Sequence, residues 1–428
     1  MNNRKEEWAI SRRDFIKYCS ATSVAVGITG FPALVRSQKQ PGEILIGMAH
    51  PLTGAGAMGG QEYYRAAMMM VGIINEEGGI KSLGSAKVRV IFKDTETKLD
   101  VSAAATERFC QDPQISLVTG CMVSSFTLVT SQIAEKYKVP YINEGALSER
   151  INQRGLKYTF TTRPTSPNYA RSFIAFIEDL EKKIDNPPKT VAFLNEDSEA
   201  GQTIGNNLKS EVLKSPLKLR VVEDILYSMN AMDLTSVIMK LKASKPDIVA
   251  GFHYLGDSLL LQRQMKQLKF DCMGRLTVSG WEPLPSYAKT LGKDANYLLN
   301  TSTAYPNMRG IAGLGNVNQR YEQIYGTPPS NITFLMFLAW GVIRKALESV
   351  RSTDRDEIRE ALAKVEIAPG EFGNYGVAPI KFDSNGKNIG TRPVVGQIQN
   401  EKIICVWPEE YSISKLVWPT PKWSERAS

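Results

Sequence analysis

The chain has 428 residues, of which 43% are apolar and 22% are charged, a composition typical of a globular protein. It carries 52 Lys and Arg residues against 44 Asp and Glu residues, and its net charge of +8 is spread along the sequence. Nucleic acid and anionic membranes require blocks of basic residues, which this sequence lacks, so we expect neither as a partner.

The first 37 residues resemble an export signal. The run SRRDFIK (residues 11–17) matches the twin-arginine pattern, and residues 18–35 are uncharged. Ser, Thr, Gly and Pro make this uncharged segment too weakly apolar for a membrane span. The alternative is a buried N-terminal helix that two arginines precede by chance. We favour a twin-arginine signal peptide over residues 1–37, with cleavage after Ser37 and a periplasmic mature chain.

Cleavage after Ser37 leaves 391 residues and four cysteines, Cys110, Cys121, Cys272 and Cys405. An even number of cysteines in an exported protein suggests disulfides. In the predicted layout, however, a strand of roughly 20 Å separates Cys110 from Cys121, whereas a disulfide tolerates less than ~7 Å. No Cys or His spacing indicates a metal site. We therefore expect four free thiols and no bound metal.

Short β-branched runs alternate with longer amphipathic runs along the mature chain. Strand-like runs cover residues 43–49, 87–93, 115–120 and 139–143, with helix-like runs at 61–77, 100–110 and 126–137. After Pro164, strand-like runs cover 190–195, 219–227, 247–252 and 275–280, with helix-like runs at 201–214, 233–243 and 256–268. Two helical runs follow within 317–363, and a β-like tail contains the hairpin signal Asn385-Gly386. The alternation predicts an α/β fold with two Rossmann-like, doubly wound lobes.

Gly54, Gly56 and Gly59 follow the first strand and match G-x-G-x-x-G, the pattern of a dinucleotide-binding loop. In that fold the first glycine stands at the strand end, and an acidic residue follows about 20 residues later. Here residues 50–53 intervene, and the acid at the next strand end, Asp94, lies 35 residues beyond Gly59. Small residues in a flexible loop are a second interpretation. We favour a third, a loop whose bare backbone lets a ligand approach closely, and we expect no cofactor.

Catalytic motifs are not evident in the sequence. It contains only two histidines, His50 and His253, and neither G-x-S-x-G nor a P-loop. Both histidines follow predicted strands, so either can contact a ligand. An exported cofactor-dependent oxidoreductase is a further enzyme alternative. We expect a protein that is not an enzyme.

The run IGMAHPLTGAGAMGGQEYYRAAMMMVGIINEEGGIKS and the following VRVIFKDTE resemble the substrate-binding proteins of branched-chain amino acid and amide ABC transporters. The runs VTGCMVSSFT, VPYINEGALSERINQRGLKYTFTTRPT and PIKFDSNGKN extend this resemblance over residues 43–410. It implies a type I periplasmic-binding fold with two lobes joined by three crossovers, near residues 162, 303 and 372. Lobe 1 is then 43–161 plus 304–371, and lobe 2 is 162–303 plus 372–420.

The resemblance also implies a ligand site. Ser124 matches a family serine that binds the ligand carboxylate, and Ser125 adjoins it; an N-cap role for Ser124 is the alternative. The family loop after the fourth strand corresponds to Gly145, Ala146 and Leu147, with Ser148 one step later. Tyr254 matches a tyrosine that packs on the ligand. Ala200 and Met58 replace two family aromatic residues, which predicts a larger and more apolar cavity.

Gly280 stands where the amino-acid binders of the family place a glutamate that pairs with the ligand ammonium, and Trp281 and Glu282 adjoin it. A buried ammonium without a carboxylate would be costly. Either Glu282 or another acid (Glu144, Glu196 or Asp197) therefore turns inward, or the ligand lacks an α-ammonium. We favour the latter, with Trp281 and Phe126 as aromatic walls or, alternatively, as plain core residues.

These observations predict a monomeric periplasmic solute-binding protein. It would deliver a small carboxylate-bearing ligand, either an amino acid or an aromatic or apolar organic acid, to ABC permease subunits in the inner membrane. A sensory or regulatory ligand-binding protein on the same fold is the main alternative.

Overall fold

The computed structural model describes residues 42–229 and 231–426, so the predicted export signal lies outside the described residues. The strands are β1 (Glu43–His50), β2 (Lys87–Asp94), β3 (Ile115–Gly120), β4 (Tyr141–Asn143), β5 (Thr159–Thr161), β6 (Thr190–Glu196), β7 (Arg220–Tyr227), β8 (Ile248–Gly251), β9 (Gly274–Val278), β10 (Leu299–Ser302), β11 (Glu366–Ile367), β12 (Ile380–Lys381), β13 (Val394–Gln399) and β14 (Lys402–Trp407). The α-helices are α1 (Ala57–Glu76), α2 (Leu99–Gln111), α3 (Ser124–Lys136), α4 (Ser166–Lys183), α5 (Glu199–Lys214), α6 (Thr235–Ser244), α7 (Leu255–Gln267), α8 (Pro285–Leu291), α9 (Leu314–Tyr325), α10 (Asn331–Leu347) and α11 (Arg355–Ala363). Among these described helices, none has both the length and the apolar character needed to cross a membrane.

The strands form two large sheets. The first has the order β2-β1-β3-β4-β5, and all its pairs are parallel. The second has the order β14-β13-β10-β9-β8-β6-β7. Its strands β10, β9, β8, β6 and β7 pair in parallel, and β13 and β14 pair antiparallel at one edge. In each sheet the first strand along the chain lies between the second and the third. Such a reversal of strand order leaves a crevice at the carboxyl ends of the strands.

Burial explains the composition of the parallel strands. Every residue of β3 is buried, and in β1 only Glu43 is not, because helices cover both faces of the sheet. The edge strand β2 exposes Lys87 and Arg89 and buries Val88. Charged side chains at an edge also discourage pairing with another chain.

Helix α10 lies at the centre of the largest core cluster. Fifteen of its 17 residues are buried, including Trp340, and it packs against α1. Its first turn is closed by a capping box in which the Ser330 hydroxyl accepts from the Thr333 N–H. The Glu62 carboxylate of α1 accepts hydrogen bonds from the hydroxyls of Tyr321, Ser330 and Thr333. These bonds attach the start of α10 to α1.

The predicted α/β class is confirmed, and the predicted strand and helix runs coincide with observed elements to within a few residues. Asn385-Gly386 forms the predicted turn, and an antiparallel bridge joins Phe382 before the turn to Asn388 after it. The prediction missed five elements, which are α4, α8, β5, β10 and β11. The lobe boundaries remain predictions.

The four cysteines of the described chain are free thiols, as expected. Burial raises the pKa of Cys110 and Cys405 to about 12, and that of Cys121 and Cys272 to about 11. Thiols with such high pKa values are unreactive near neutral pH.

Candidate functional site

A cavity lies between the two sheets, at the carboxyl ends of their strands. Residues that follow β3, β4, β5, β6, β8 and β9 contribute to its wall, as expected for a site in an open α/β sheet. Its lining comprises Tyr63, Met122, Ser124, Gly145, Leu147, Arg163, Tyr169, Ala200, Phe252, Tyr254, Ser279, Trp281, Ser302, Asn331, Ile332 and Leu335. The cavity volume is about 20 Å³. That volume suits a single water molecule, so a larger guest requires the walls to move.

The structure does not show the larger cavity that the sequence suggested. Ala200 and Met58 were expected to enlarge the cavity, but Tyr63 of α1 and Tyr169 of α4 line the same space. Because α4 was not among the predicted elements, Tyr169 was not considered. Hydroxyl-bearing rings also make the wall more polar than expected.

Ser124 lies on the cavity wall as the first residue of α3. Its hydroxyl oxygen accepts the backbone N–H of Ser148 at 3.4 Å. The cap position of the helix is Val123, and no side chain caps it, so the alternative role of Ser124 as an N-cap is not observed. The buried hydroxyl therefore stands where the positive end of a 13-residue helix favours an anion.

The aromatic part of the wall comes mainly from the second sheet. The rings of Tyr254 and Trp281 meet edge to face with centroids 5.2 Å apart, and Phe252 packs on Tyr254 in the same way. Such pairs fix ring orientation and add to the stabilisation from burial. Phe126, the other predicted aromatic wall, instead packs beside a core cluster of the first sheet.

The glycines before and at the start of α1 stand where a positive φ or close packing requires them. Gly54 has a φ of +83°, a conformation that L side chains rarely adopt. A Cβ atom at Gly59 would lie 2.6 Å from the Trp281 ring, so only glycine allows this approach. Gly59, in the first turn of α1, therefore allows close packing against Trp281, while Gly54 packs against the backbone of Glu96.

Six of the twelve predicted site residues line the cavity, and six do not. Those lining it are Ser124, Gly145, Leu147, Ala200, Tyr254 and Trp281. Met58 is 46% exposed and Ser125 is also exposed. Ala146 and Ser148 are buried; the Ala146 N–H donates to the Asn143 side chain, and the Ser148 hydroxyl donates to the Glu199 carboxylate. Gly280 is buried, and its carbonyl accepts from Asn300 and Asn331.

Glu282 is buried and does not line the cavity. Its carboxylate accepts from the Ser258 hydroxyl and lies 3.6 Å from the Arg275 guanidinium. Burial raises the pKa of Glu282, while Arg275 acts in the opposite direction. A Cβ atom at Gly280 would overlap this carboxylate, so a side chain at position 280 and the Glu282 carboxylate in its present place exclude each other.

The two histidines also lie behind the wall. His50 Nε2 is 2.6 Å from Glu144 Oε1, and its ring stacks on Tyr63 at 4.9 Å. His253 Nδ1 is 2.8 Å from the Tyr227 hydroxyl, and burial holds its pKa well below the usual range, so it is neutral. Neither ring contacts the cavity directly.

Sequence analysis did not identify Arg163, which lines the cavity and is 4% exposed. A signal was present, because Arg163 is the only charged residue in TFTTRPTSPNYA (residues 159–170) and lies two residues after the end of β5. A charge at a strand end within an uncharged run is typical of a site residue.

Glu196 ends β6 and is fully buried near Tyr254. Burial raises the pKa of Glu196 to about 7, although Ser198 donates its hydroxyl and backbone N–H to the carboxylate. An unfolded glutamate ionises near pH 4.5, so the native state retains this proton over a higher pH range. The contribution of Glu196 to folding is therefore most favourable below pH 4.5 and declines as the pH rises to about 7.

Glu196→Gln is expected to be more stable than the wild type at pH 8 by about 3 kcal/mol, with no difference at pH 4. Urea denaturation at both pH values measures this free energy of unfolding. Glu401→Gln, at an exposed position, is the control and should match the wild type at both. Equal stability of Glu196→Gln and the wild type at pH 8 would show that Glu196 ionises freely.

Comparisons with known proteins agree with this architecture. Residues 43–401 match the family model described as "Periplasmic binding protein". A curated relative, Leu/Ile/Val-binding protein homolog 7 of Brucella abortus (strain 2308), is 27% identical over 389 residues, covering 88% of this chain and 94% of the relative.

Two solved structures share the fold. One is a leucine-binding protein LivK from Thermotoga maritima MSB8, with a TM-score of 0.72, 19% identity, and coverage of 85% of this chain and 97% of that one. The other is an ABC-transporter solute-binding protein from R. palustris in complex with benzoate, with a TM-score of 0.73, 16% identity, and coverage of 87% and 98%. The relatives are named as binding proteins, which confirms the expectation that the chain is not an enzyme.

Proposed function

We propose that this chain, which belongs to the periplasmic binding protein family, captures a small carboxylate-bearing solute and delivers it to an ABC importer. The observation that carries the proposal is a cavity lined from both sheets, at the strand ends, with the Ser124 hydroxyl and the Arg163 guanidinium on its wall. Hydroxyls, a helix N-terminus and a guanidinium are the groups that bind a carboxylate.

The mechanism is a shift in population between an open and a closed arrangement. Trp281 from the second sheet packs on Gly59 from the first, and the remaining cavity holds about 20 Å³. A solute must therefore enter when the sheets are further apart. Contacts of the solute with residues of both sheets then favour the closed arrangement, which docks on the permease.

The experiment that tests this proposal is a thermal-shift screen of the mature protein against amino acids, amides, aromatic acids and short aliphatic acids. A ligand at a hundred times its Kd adds about 2.7 kcal/mol to the free energy of unfolding. A hit is followed by uptake of the labelled solute in cells with and without the gene. A protein that no solute of the panel stabilises, or uptake that is independent of the gene, contradicts the proposal.

Ser124→Ala is expected to weaken the ligand found in that screen by about 1–2 kcal/mol, because a hydrogen bond to a charged group is lost. The melting temperature of the ligand-free protein should not fall. Ser125→Ala, at the exposed neighbouring position, is the matched control and should bind like the wild type. Unchanged affinity together with a lower melting temperature would show that Ser124 only stabilises the fold.

Export by the twin-arginine route is part of the proposal, and its support is the SRRDFIK run. Arg12→Lys combined with Arg13→Lys should leave the precursor in the cytoplasm, because a receptor reads this address. Immunoblots of periplasmic and cytoplasmic fractions measure the distribution. The single change Arg36→Lys, beside the predicted cleavage site, is the control that should not affect export. A normal periplasmic yield of the double variant would remove the argument for this route.

A further inference from the structure

The Arg163 guanidinium is buried among neutral oxygen atoms. Its Nε donates to the Pro164 carbonyl at 3.2 Å, and its Nη1 donates to the Gly145 carbonyl. Its Nη2 donates to the Tyr169 hydroxyl at 3.0 Å and to the Ser279 hydroxyl. These four bonds hold the guanidinium in place between elements of both sheets, but they leave its positive charge without a counter-charge.

Among the described residues, no carboxylate forms an ion pair with Arg163, and no Asp or Glu lines the cavity. The acids that could have turned inward are bonded elsewhere. Glu144 contacts His50 and Thr119, Glu196 contacts Ser198, Asp197 accepts from the Met229 N–H, and Glu282 contacts Ser258 and Arg275. The cavity lining therefore carries one positive charge and no negative charge.

We infer that Arg163 is the charge partner of the ligand, and that the ligand is a monocarboxylate without an ammonium group. The inference rests on the proposed function. A buried cation is unfavourable until an anion compensates it, and a zwitterion would bring an ammonium for which the lining has no carboxylate. The guanidinium and the Ser124 hydroxyl both line the cavity, and together they form the carboxylate subsite of this inference.

Beside the hydroxyl groups of Tyr63 and Tyr169, the remaining lining includes an apolar surface that favours an apolar body for the ligand. Phe252, Tyr254 and Trp281 form a connected set of edge-to-face rings, and Ile332 and Leu335 of α10 face the same cavity. Such walls favour planar aromatic or branched aliphatic groups. The ligand class is thus aromatic or branched-chain carboxylic acids.

The experiment compares matched sets by calorimetric titration of the mature protein. The sets are 3-phenylpropionate, its primary amide and phenylalanine; 4-methylpentanoate, its amide and leucine; and benzoate with benzamide. In at least one set the carboxylate should bind on the order of 100-fold more tightly than the amide or the amino acid. If amino acids bind best, the inference fails while the proposed function stands. If amides bind best, both fail, because the proposed solute bears a carboxylate. If no compound binds, the inference fails, and the thermal-shift panel decides the proposed function.

Variants of Arg163 assign the preference to this residue. Arg163→Met should raise the Kd of the carboxylate on the order of 100-fold and leave that of the amide nearly unchanged. Arg163→Lys keeps the charge and should retain a weaker preference for the carboxylate. Arg150→Met, at a 64% exposed arginine outside the cavity, is the control and should bind like the wild type.

A purely structural role of Arg163 would weaken both ligands equally. An unchanged carboxylate-to-amide ratio in Arg163→Met therefore overturns the inference. If Arg163→Met does not fold, the carboxylate-to-amide ratio of affinities in Arg163→Lys decides. A ratio equal to that of the wild type overturns the inference, and so does an amide that binds more tightly than the carboxylate.

Discussion

Replacing Arg275 with methionine is expected to lower the free energy of unfolding by about 3–5 kcal/mol at pH 7. The Arg275 guanidinium is buried, donates to Gln262 at 2.7 Å and to Ser258 at 2.8 Å, and lies 3.6 Å from Glu282. Methionine fills a similar volume but leaves the Glu282 carboxylate buried without a cation. Denaturation with guanidinium chloride measures the loss.

The pH dependence and a second substitution test the cause of that loss. Without Arg275, Glu282 should retain its proton to higher pH in the folded state, so the stability of Arg275→Met should fall with rising pH more steeply than that of the wild type. Adding Glu282→Gln removes the unpaired charge and should recover much of the stability, as a double-mutant cycle would show. If Arg275→Met were as stable as the wild type, Arg275 would not hold Glu282, and Glu282 would be available to a ligand.

Gly341→Ala is expected to destabilise the protein by about 3 kcal/mol or more. Gly341 lies in the buried helix α10, where the backbone of Phe372 crosses it directly. A Cβ atom at this position would overlap the Phe372 carbonyl oxygen, and a backbone atom cannot move aside as a side chain can. Thermal and chemical denaturation both report the effect.

Gly72→Ala is the matched control. Gly72 also lies inside a helix, α1, but a Cβ atom there would meet no other atom within 4 Å. Alanine should therefore stabilise the protein by about 0.5–1 kcal/mol through its helix preference. Similar effects of the two substitutions would contradict the close approach of Phe372 to α10.

Much of the fold was predictable because the signals are local. Parallel strands that are covered on both faces are mostly apolar along their length, as in ISLVTG, and amphipathic helices must connect them. Helix α4 was missed although its signals were present. Thr165 and Asn168 form a capping box, Pro167 stands in the first turn, and the buried Phe173, Ile177 and Leu180 recur at helical spacing.

The candidate site was predictable only in part. The strand ends that carry Ser124, Tyr254 and Trp281 follow from the alternation of elements and from the family resemblance, and the structure places these three side chains on the cavity wall. Met58 and Glu282 lie at equally suitable sequence positions, but Met58 is exposed to solvent and Glu282 is buried beside Arg275. Sequence position therefore predicts the region of the site and not the direction of each side chain.

The sequence by itself determined the α/β class, the order of the elements and the loops that meet at the strand ends, because these depend on periodicity and turn residues within short segments. Only the tertiary structure decided which charges face the cavity. Arg163 is held by Ser279, which is 116 residues away along the chain, and Glu282 is held behind the wall by Ser258 and Arg275. Such partners meet only when the strands of a sheet are ordered and the two sheets are brought together. Burial then makes pairing decisive, because a buried charge must find a partner, either within the protein or in the ligand.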